Sequence, residues 1–179
     1  MKLYVIRHGE TKYNIQNRIC GITDLELTDK GKQQALNASK HFENIKIDRI
    51  YVSPLKRAQE TAAIINKVTN TDIEVDNRLR EINYGTFEGK KGTNRSFNHV
   101  KKNLGMNYPE GESFLNVTTR VYTLIEELIN SHPNETILLV CHGGIMRVIE
   151  TYFTDMTNKE IYKYAAKNCQ INTYEINVK

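Results

Sequence analysis

Arg7 and His8 stand side by side directly after an apolar run, Leu3, Tyr4, Val5 and Ile6, and are followed by Gly9, Glu10 and Thr11. A buried strand running into a polar turn delivers functional groups at its carboxyl end. A fixed cation beside an imidazole makes an anion site that also contains a nucleophile or a base, and Gly9 lets the backbone turn sharply or come close to a ligand. The first reading is phosphate chemistry. Other stretches offer matching groups. Ser53-Pro54-Leu55-Lys56-Arg57 places a second guanidinium in the first turn of a helix just past another strand, and Arg78 to Gly89 carries Glu81 in a glycine-bearing loop. An unbroken apolar strand, Thr136 to Cys141, ends in His142, Gly143 and Gly144, and Asn14 lies within reach of the first turn.

The remaining segments must bring these groups together. Lys12 to Glu26 reads as polar and irregular. Thr28 is a plausible N-cap for a helix whose apolar spacing runs through Ala35, Leu36, Ala38 and Phe42. Asp48 to Val52 is a second strand, and Pro54 fits the first turn of a helix over about Leu55 to Val68, with Ala58, Ala62, Ile65 and Val68 inward. Ile73 to Val75 is a third strand, Asn94 to Leu104 a short helix. A long helix to about Asn130 follows, presenting Phe114, Val117, Val121, Leu124, Ile125 and Leu128 on one face. Helices over Ile145 to Phe153 and Asn158 to Ala165, then strand-like alternation from Gln170 to Val178, complete the chain. Strands alternating with helices predict an α/β fold, a three-layer sandwich on a mostly parallel sheet, in one domain over 1–179. In such sheets ligands sit beyond the carboxyl ends of the strands, where Arg7-His8 and His142-Gly143 would converge.

Composition narrows the partners. A chain of 179 residues with net charge +4 and scattered basic residues suits small anionic ligands, and no nucleic-acid partner is expected. Cys20, Cys141 and Cys169 form no C-x-x-C pair, which argues against a disulfide framework or a structural zinc. No run of 18 or more apolar residues exists and the first strand begins almost at Met1, so a cytoplasmic protein without a membrane partner is the expectation.

The motifs R-H-G-E-T-x-x-N, L-T-x-x-G-x-x-Q-A, S-x-L-x-R-A-x-x-T-A, E-x-x-x-G-x-x-E-G, G-E-S-F and H-G-G follow one another across almost the whole chain. In this order they resemble the phosphoglycerate mutase-like branch of the histidine phosphatase superfamily, with a pattern closest to α-ribazole phosphatase and broad-specificity phosphatases. The resemblance implies that His8 attacks phosphorus and becomes a phosphohistidine. Arg7, Arg57 and His142 would bind the non-bridging oxygens, with Asn14, Gly21 and the amide of Gly143 as further phosphate contacts. Glu81 would be the acid for the leaving oxygen and then the base for water. No metal and no cofactor is implied. Cys20 departs from the mutase pattern, which carries Thr before the glycine aligned with Gly21.

Only 29 residues separate Glu81 from Gly111, and the chain ends soon after its last strand, a short cover that predicts a phosphatase for a small phosphorylated metabolite, with a cofactor-dependent mutase as the alternative. Lys90, Lys91 and Arg95 either meet a second anionic group or form a solvated surface. Three rivals remain. Cys141 to Arg147 reads C-x5-R, the cysteine-dependent phosphatase pattern, although Val148 stands where those enzymes carry Ser or Thr. His8, His142 and Glu81 could serve a metal, but H-x-H and H-x-x-x-H spacings are missing. A non-catalytic phospho-ligand binding module is the different-class reading. His41, His99 and His132 read as surface residues and Arg120 as facing solvent. Ile171, Tyr174 and Ile176 either pair in a homodimer or cover the core.

Overall fold

The computed structural model describes residues 1–176. Its strands are β1 (Lys2–Arg7), β2 (Arg49–Val52), β3 (Ile73–Val75), β4 (Thr136–Cys141) and β5 (Ile171–Glu175). They form one sheet in the order β3-β2-β4-β1-β5, parallel except for β5, which runs antiparallel to β1. The last two residues of the expected closing strand, 177 and 178, lie outside the described residues. The helices are α1 (Lys12–Ile15), α2 (Asp29–Ser39), α3 (Lys56–Thr69), α4 (Arg95–Lys102), α5 (Phe114–Ser131), α6 (Gly143–Phe153) and α7 (Asn158–Lys163).

Two cores flank the sheet, as a three-layer sandwich requires. The central strands are apolar on both faces. Leu3, Val5, Ile137 and Leu139 pack with α5 and α6, while Tyr4, Ile6, Ile50, Val52, Leu138 and Val140 pack toward α2 and α3. Along α5 the six expected apolar residues are all buried. The smaller helices keep a narrower inward stripe. Gly31, Ala35 and Ser39 are buried on α2, whereas Leu36 is 48% exposed; on α3 Ala58, Thr61, Ala62 and Ile65 are buried and Val68 is 38% exposed. Each outlier sits one residue past the stripe or beyond its last turn, so the helical rotation carries it toward water.

Helix starts follow their caps. The Thr28 hydroxyl accepts from the Gly31 amide, and Ser113 with Asn116 closes a capping box on α5. Leu55 rather than Pro54 is the N-cap of α3, so Pro54 precedes the helix instead of entering its first turn. The segment expected to be irregular contains one short helix, α1, because Thr11 and Asn14 form a capping box of their own. Tyr174 of β5 stacks on Phe153 at 4.2 Å and donates to Glu150, so this strand covers the core on that face.

Candidate active site

The sheet register brings the two histidine turns together. Arg7 pairs with Cys141, so His8 and His142 follow on adjacent parallel strands with ring centroids 5.1 Å apart. The His8 amide donates to Cys141 O at 3.0 Å. On the side chain, Nδ1 lies 2.7 Å from Gly9 O, which accepts only if Nδ1 carries the proton; Nε2 is then left as a lone pair facing Arg57 Nε at 3.2 Å. Thr61 fixes the turn against α3 by accepting from the Gly9 amide and donating to Arg57 O. Gly9 is required by contact with α2: a Cβ there would lie 2.4 Å from Gly31 O.

Two guanidiniums close around this imidazole, each held by carbonyls. Arg57, fully buried, donates to Thr23 O and Gly21 O, and Arg7 donates to Ala166 O. Burial, then the charges of Arg57 and Arg7, hold the His8 imidazole well below the usual histidine range; burial and Arg57 foremost do the same to His142. Both rings are therefore neutral at pH 7. His142 Nε2 lies 2.7 Å from Ser53 Oγ, which itself accepts from the Leu55 amide. Among the described residues, His142 Nδ1 and Arg7 Nε are buried without a hydrogen-bond partner.

Glu81 reaches the same place from the loop after β3. It is 5% exposed; one carboxyl oxygen accepts from the Ile82 amide and the other from the Gly144 amide, both at 2.9 Å. The loop is clamped from α5. Arg120 donates to Arg78 O, to Glu81 O at 3.4 Å and to the Glu112 carboxylate, so it does not face solvent as its helical position suggested. Glu112 also pairs with Arg80.

Gly21 and Asn14 are near but engaged. The Gly21 amide donates to Glu88, as do the amides of Ile22 and Thr23, while its carbonyl holds Arg57. The Asn14 oxygen accepts from Thr11 and Asn168. Burial pushes the Cys20 thiol up to about 11.

Beside these groups opens a cavity of about 220 Å³ whose lining includes Arg7, Asn14, Cys20, Glu81, Tyr84, Phe97 and Gly143. Its remaining cations are Arg18, Lys101 and Arg147. Lys90, Lys91 and Arg95 do not line it: Lys90 lies over the Phe87 ring, Lys91 donates to Gln16 O and Arg95 is exposed. Cys141 is fully buried, and burial drives its thiol far up, away from the thiolate a C-x5-R mechanism needs. His41 and His99 are exposed, and His132 is half-buried beside Glu135. Among the described residues no three His, Cys, Asp or Glu side chains are grouped to hold a metal ion, and no helix is long and apolar enough to cross a membrane.

Comparison with known proteins gives this geometry relatives. The sequence model of the histidine phosphatase superfamily (branch 1) matches residues 3–179. The chain is 31% identical over 179 residues to the "Probable phosphoglycerate mutase GpmB" of Escherichia coli O1:K1, covering 96% of this chain and 83% of that one. Among solved structures, Bacillus stearothermophilus YhfR superposes with a TM-score of 0.89 at 31% identity, over 98% of this chain and 91% of that one. A phosphoserine phosphatase mutant from Entamoeba histolytica, in complex with phosphoserine, gives 0.83 at 31% identity, over 96% and 89%.

Proposed function

Because the chain belongs to the histidine phosphatase superfamily (branch 1), we propose that it hydrolyses small phosphomonoesters through a phosphohistidine on His8, without metal or cofactor. The observation that carries this is His8 itself: a buried neutral imidazole, its Nδ1 anchored on Gly9 O and its Nε2 lone pair directed at the guanidinium of Arg57. A phosphoryl group placed there meets a nucleophile and cations together.

In the first step Nε2 forms a bond to phosphorus while the bond to the ester oxygen breaks, and Glu81 gives that oxygen a proton. In the second, Glu81 takes a proton from water as the water oxygen displaces His8. Arg7, Arg57, His142 and the Gly143 amide hold the non-bridging oxygens, which suits a reaction that needs positioning and charge neutralisation above all. Arg7 Nε and His142 Nδ1 are the unpaired atoms such oxygens would engage. In the tautomer that has Ser53 donating to Nε2, the His142 proton sits on Nδ1, which then serves as a neutral donor. Gly21 contributes through its carbonyl on Arg57, since its amide is committed to Glu88. Asn14 adds a donor from the cavity wall.

Hydrolysis is favoured over mutase transfer by the brevity of the segment between Glu81 and Gly111, which holds a single 3-10 turn (Gly85–Phe87) and one eight-residue helix as cover. The mutase name of the 31% identical relative keeps transfer as the second reading. The test is phosphate release from a panel spanning α-ribazole phosphate, sugar phosphates and amino-acid phosphates, in excess chelator. Turnover that survives chelation and is lost in His8→Ala but kept in Cys141→Ser supports the reading. Bisphosphate-dependent conversion of 3- to 2-phosphoglycerate faster than phosphate release would replace it with the mutase, and phosphate binding without any turnover would replace it with a binding module.

A further inference from the structure

The motif E-x-x-x-G-x-x-E-G carries two carboxylates, and the proposed reaction uses only the first, Glu81. The second, Glu88, is half-buried and closes the 3-10 turn over Gly85–Phe87. It accepts five hydrogen bonds. One carboxyl oxygen takes the Ile22 amide at 3.1 Å and the Tyr84 amide at 3.3 Å. The other takes the Gly21 amide at 3.0 Å, the Thr23 amide at 3.3 Å and the Thr23 hydroxyl at 2.6 Å. Successive amides that close on one anion in this way form a nest. Backbone bonds from the Gly89 amide to Ile19 O and from the Ile19 amide to Lys90 O zip the two segments together beside it.

The far side of the nest faces Arg57. A trans peptide points its N–H and its carbonyl in opposite directions. The peptide joining Gly21 to Ile22 gives its N–H to Glu88 and its carbonyl to Arg57 Nη2 at 2.7 Å. Thr23 makes a second link, since its amide and hydroxyl hold Glu88 while its carbonyl takes Arg57 Nη1 at 2.8 Å. Asp24 then accepts from the Lys56 amide at the start of α3, which fixes the same loop to the helix that bears Arg57. Arg57 is fully buried, and among the described residues no carboxylate forms a salt bridge with it. Of its five N–H groups, three are spent on His8 Nε2, Gly21 O and Thr23 O, which leaves one on each Nη for ligand oxygens. A carboxylate placed directly on Arg57 would occupy those groups and cancel the charge that a phosphoryl oxygen needs. Set one peptide away, it aims carbonyl dipoles at the cation without competing for it.

Resting on the phosphohistidine reading, we propose that Glu88 is a positioning residue: through the Gly21–Ile22 peptide and Thr23 it holds the Arg57 guanidinium against His8, where the phosphoryl group arrives. Glu88→Gln turns one acceptor into an NH2 group facing amides, so the loop carbonyls should release Arg57. Misplacing that cation should lower kcat/KM about tenfold or more. The factor should be equal within threefold for an alkyl phosphate and for p-nitrophenyl phosphate, because the damage lies at the cation; damage to Glu81 would spare the second substrate. In an Arg57→Met background the same change should add less than threefold. The Nε–H resonance of Arg57, hydrogen-bonded to His8 Nε2, should shift in ¹⁵N NMR spectra of Glu88→Gln. Thr23→Val removes one hydroxyl bond and leaves the backbone in place, so it should show the same equal losses at a smaller factor, and it keeps the test open if Glu88→Gln does not fold. A loss confined to the alkyl phosphate, a loss that multiplies fully with Arg57→Met, or an unmoved Arg57 resonance would overturn the positioning role. Calorimetric titration with inorganic phosphate separates this proposal from the one it rests on. Weaker phosphate binding in Glu88→Gln, with no further loss in the Arg57→Met background and no wild-type turnover, would keep the positioning role and retire the phosphatase. Wild-type turnover with fully multiplying losses would do the reverse.

Discussion

Adding one methyl group at Gly144 should disable Glu81 without touching it in the sequence. A Cβ on Gly144 would stand 2.3 Å from a Glu81 carboxyl oxygen and 2.9 Å from Ile82 Cδ1. Normal contact begins near 3.4 Å, so the carboxyl must retreat by about 1 Å and stretch its bond from the Gly144 amide. Misplacing a catalytic group by that distance costs on the order of 10²-fold in rate, or about 2.7 kcal/mol. The helix itself should not suffer, because Ala is intrinsically favoured over Gly by about 1 kcal/mol at a helical position. The assay is kcat/KM for an alkyl phosphate, whose leaving oxygen needs a proton, beside p-nitrophenyl phosphate, whose leaving group needs little help. Gly144→Ala should fall about 10²-fold on the first and distinctly less on the second. In a Glu81→Gln background the same methyl should add less than threefold, since its target is already gone. Gly144→Ala activity within threefold of wild type, or losses that multiply fully with Glu81→Gln, would refute the argument.

Other expectations follow from the same geometry. His8 and His142 are held neutral in the folded state but titrate normally when unfolded, so the unfolded chain gains up to two protons as pH falls below about 6.5; stability should drop with a slope approaching about 2.7 kcal/mol per pH unit from these two alone, read by denaturant titration between pH 7 and 5 and lessened in a His142→Gln variant. Arg120→Met removes the clamp on Arg78 O, Glu81 O and Glu112, and should cost about 2 kcal/mol of stability together with a roughly tenfold fall in kcat on alkyl phosphates. Thr28→Ala removes the cap of α2 and should lower stability by about 1 kcal/mol, a fall of about 2–4 °C in Tm seen by calorimetry, with little change in kcat.

What could be read in advance was whatever short-range pattern carries. Apolar runs ending in Arg7-His8 and His142-Gly143 reveal both the strands and the groups at their carboxyl ends, and parallel pairing of β1 with β4 then brings those groups into contact. Arg57 was visible from its place in the first turn of α3. The unread part is long-range. Nothing local says that Arg120 turns back to hold the Glu81 loop, or that Glu88 gathers the amides of Gly21, Ile22 and Thr23. The cavity walls are hidden for the same reason: Lys90, Lys91 and Arg95 stand out by charge in the sequence, whereas Arg18, Lys101 and Arg147 line the space. Two local signals do point there. Phe97 and Lys101 are four apart on one helix and so share a face, and the C-x5-R spacing marks Arg147, though for another chemistry. The exposure of Leu36 and Val68 shows the opposite failure, where apolar type was mistaken for inward position.

The central claim, that His8 accepts the phosphoryl group, is tested most directly by rapid quench with a ³²P-labelled phosphomonoester followed by mapping of the labelled protein. The account predicts an acid-labile, alkali-stable label on the peptide containing His8, absent in His8→Ala and retained in Cys141→Ser. A label that persists in His8→Ala, or that disappears in Cys141→Ser, would contradict it.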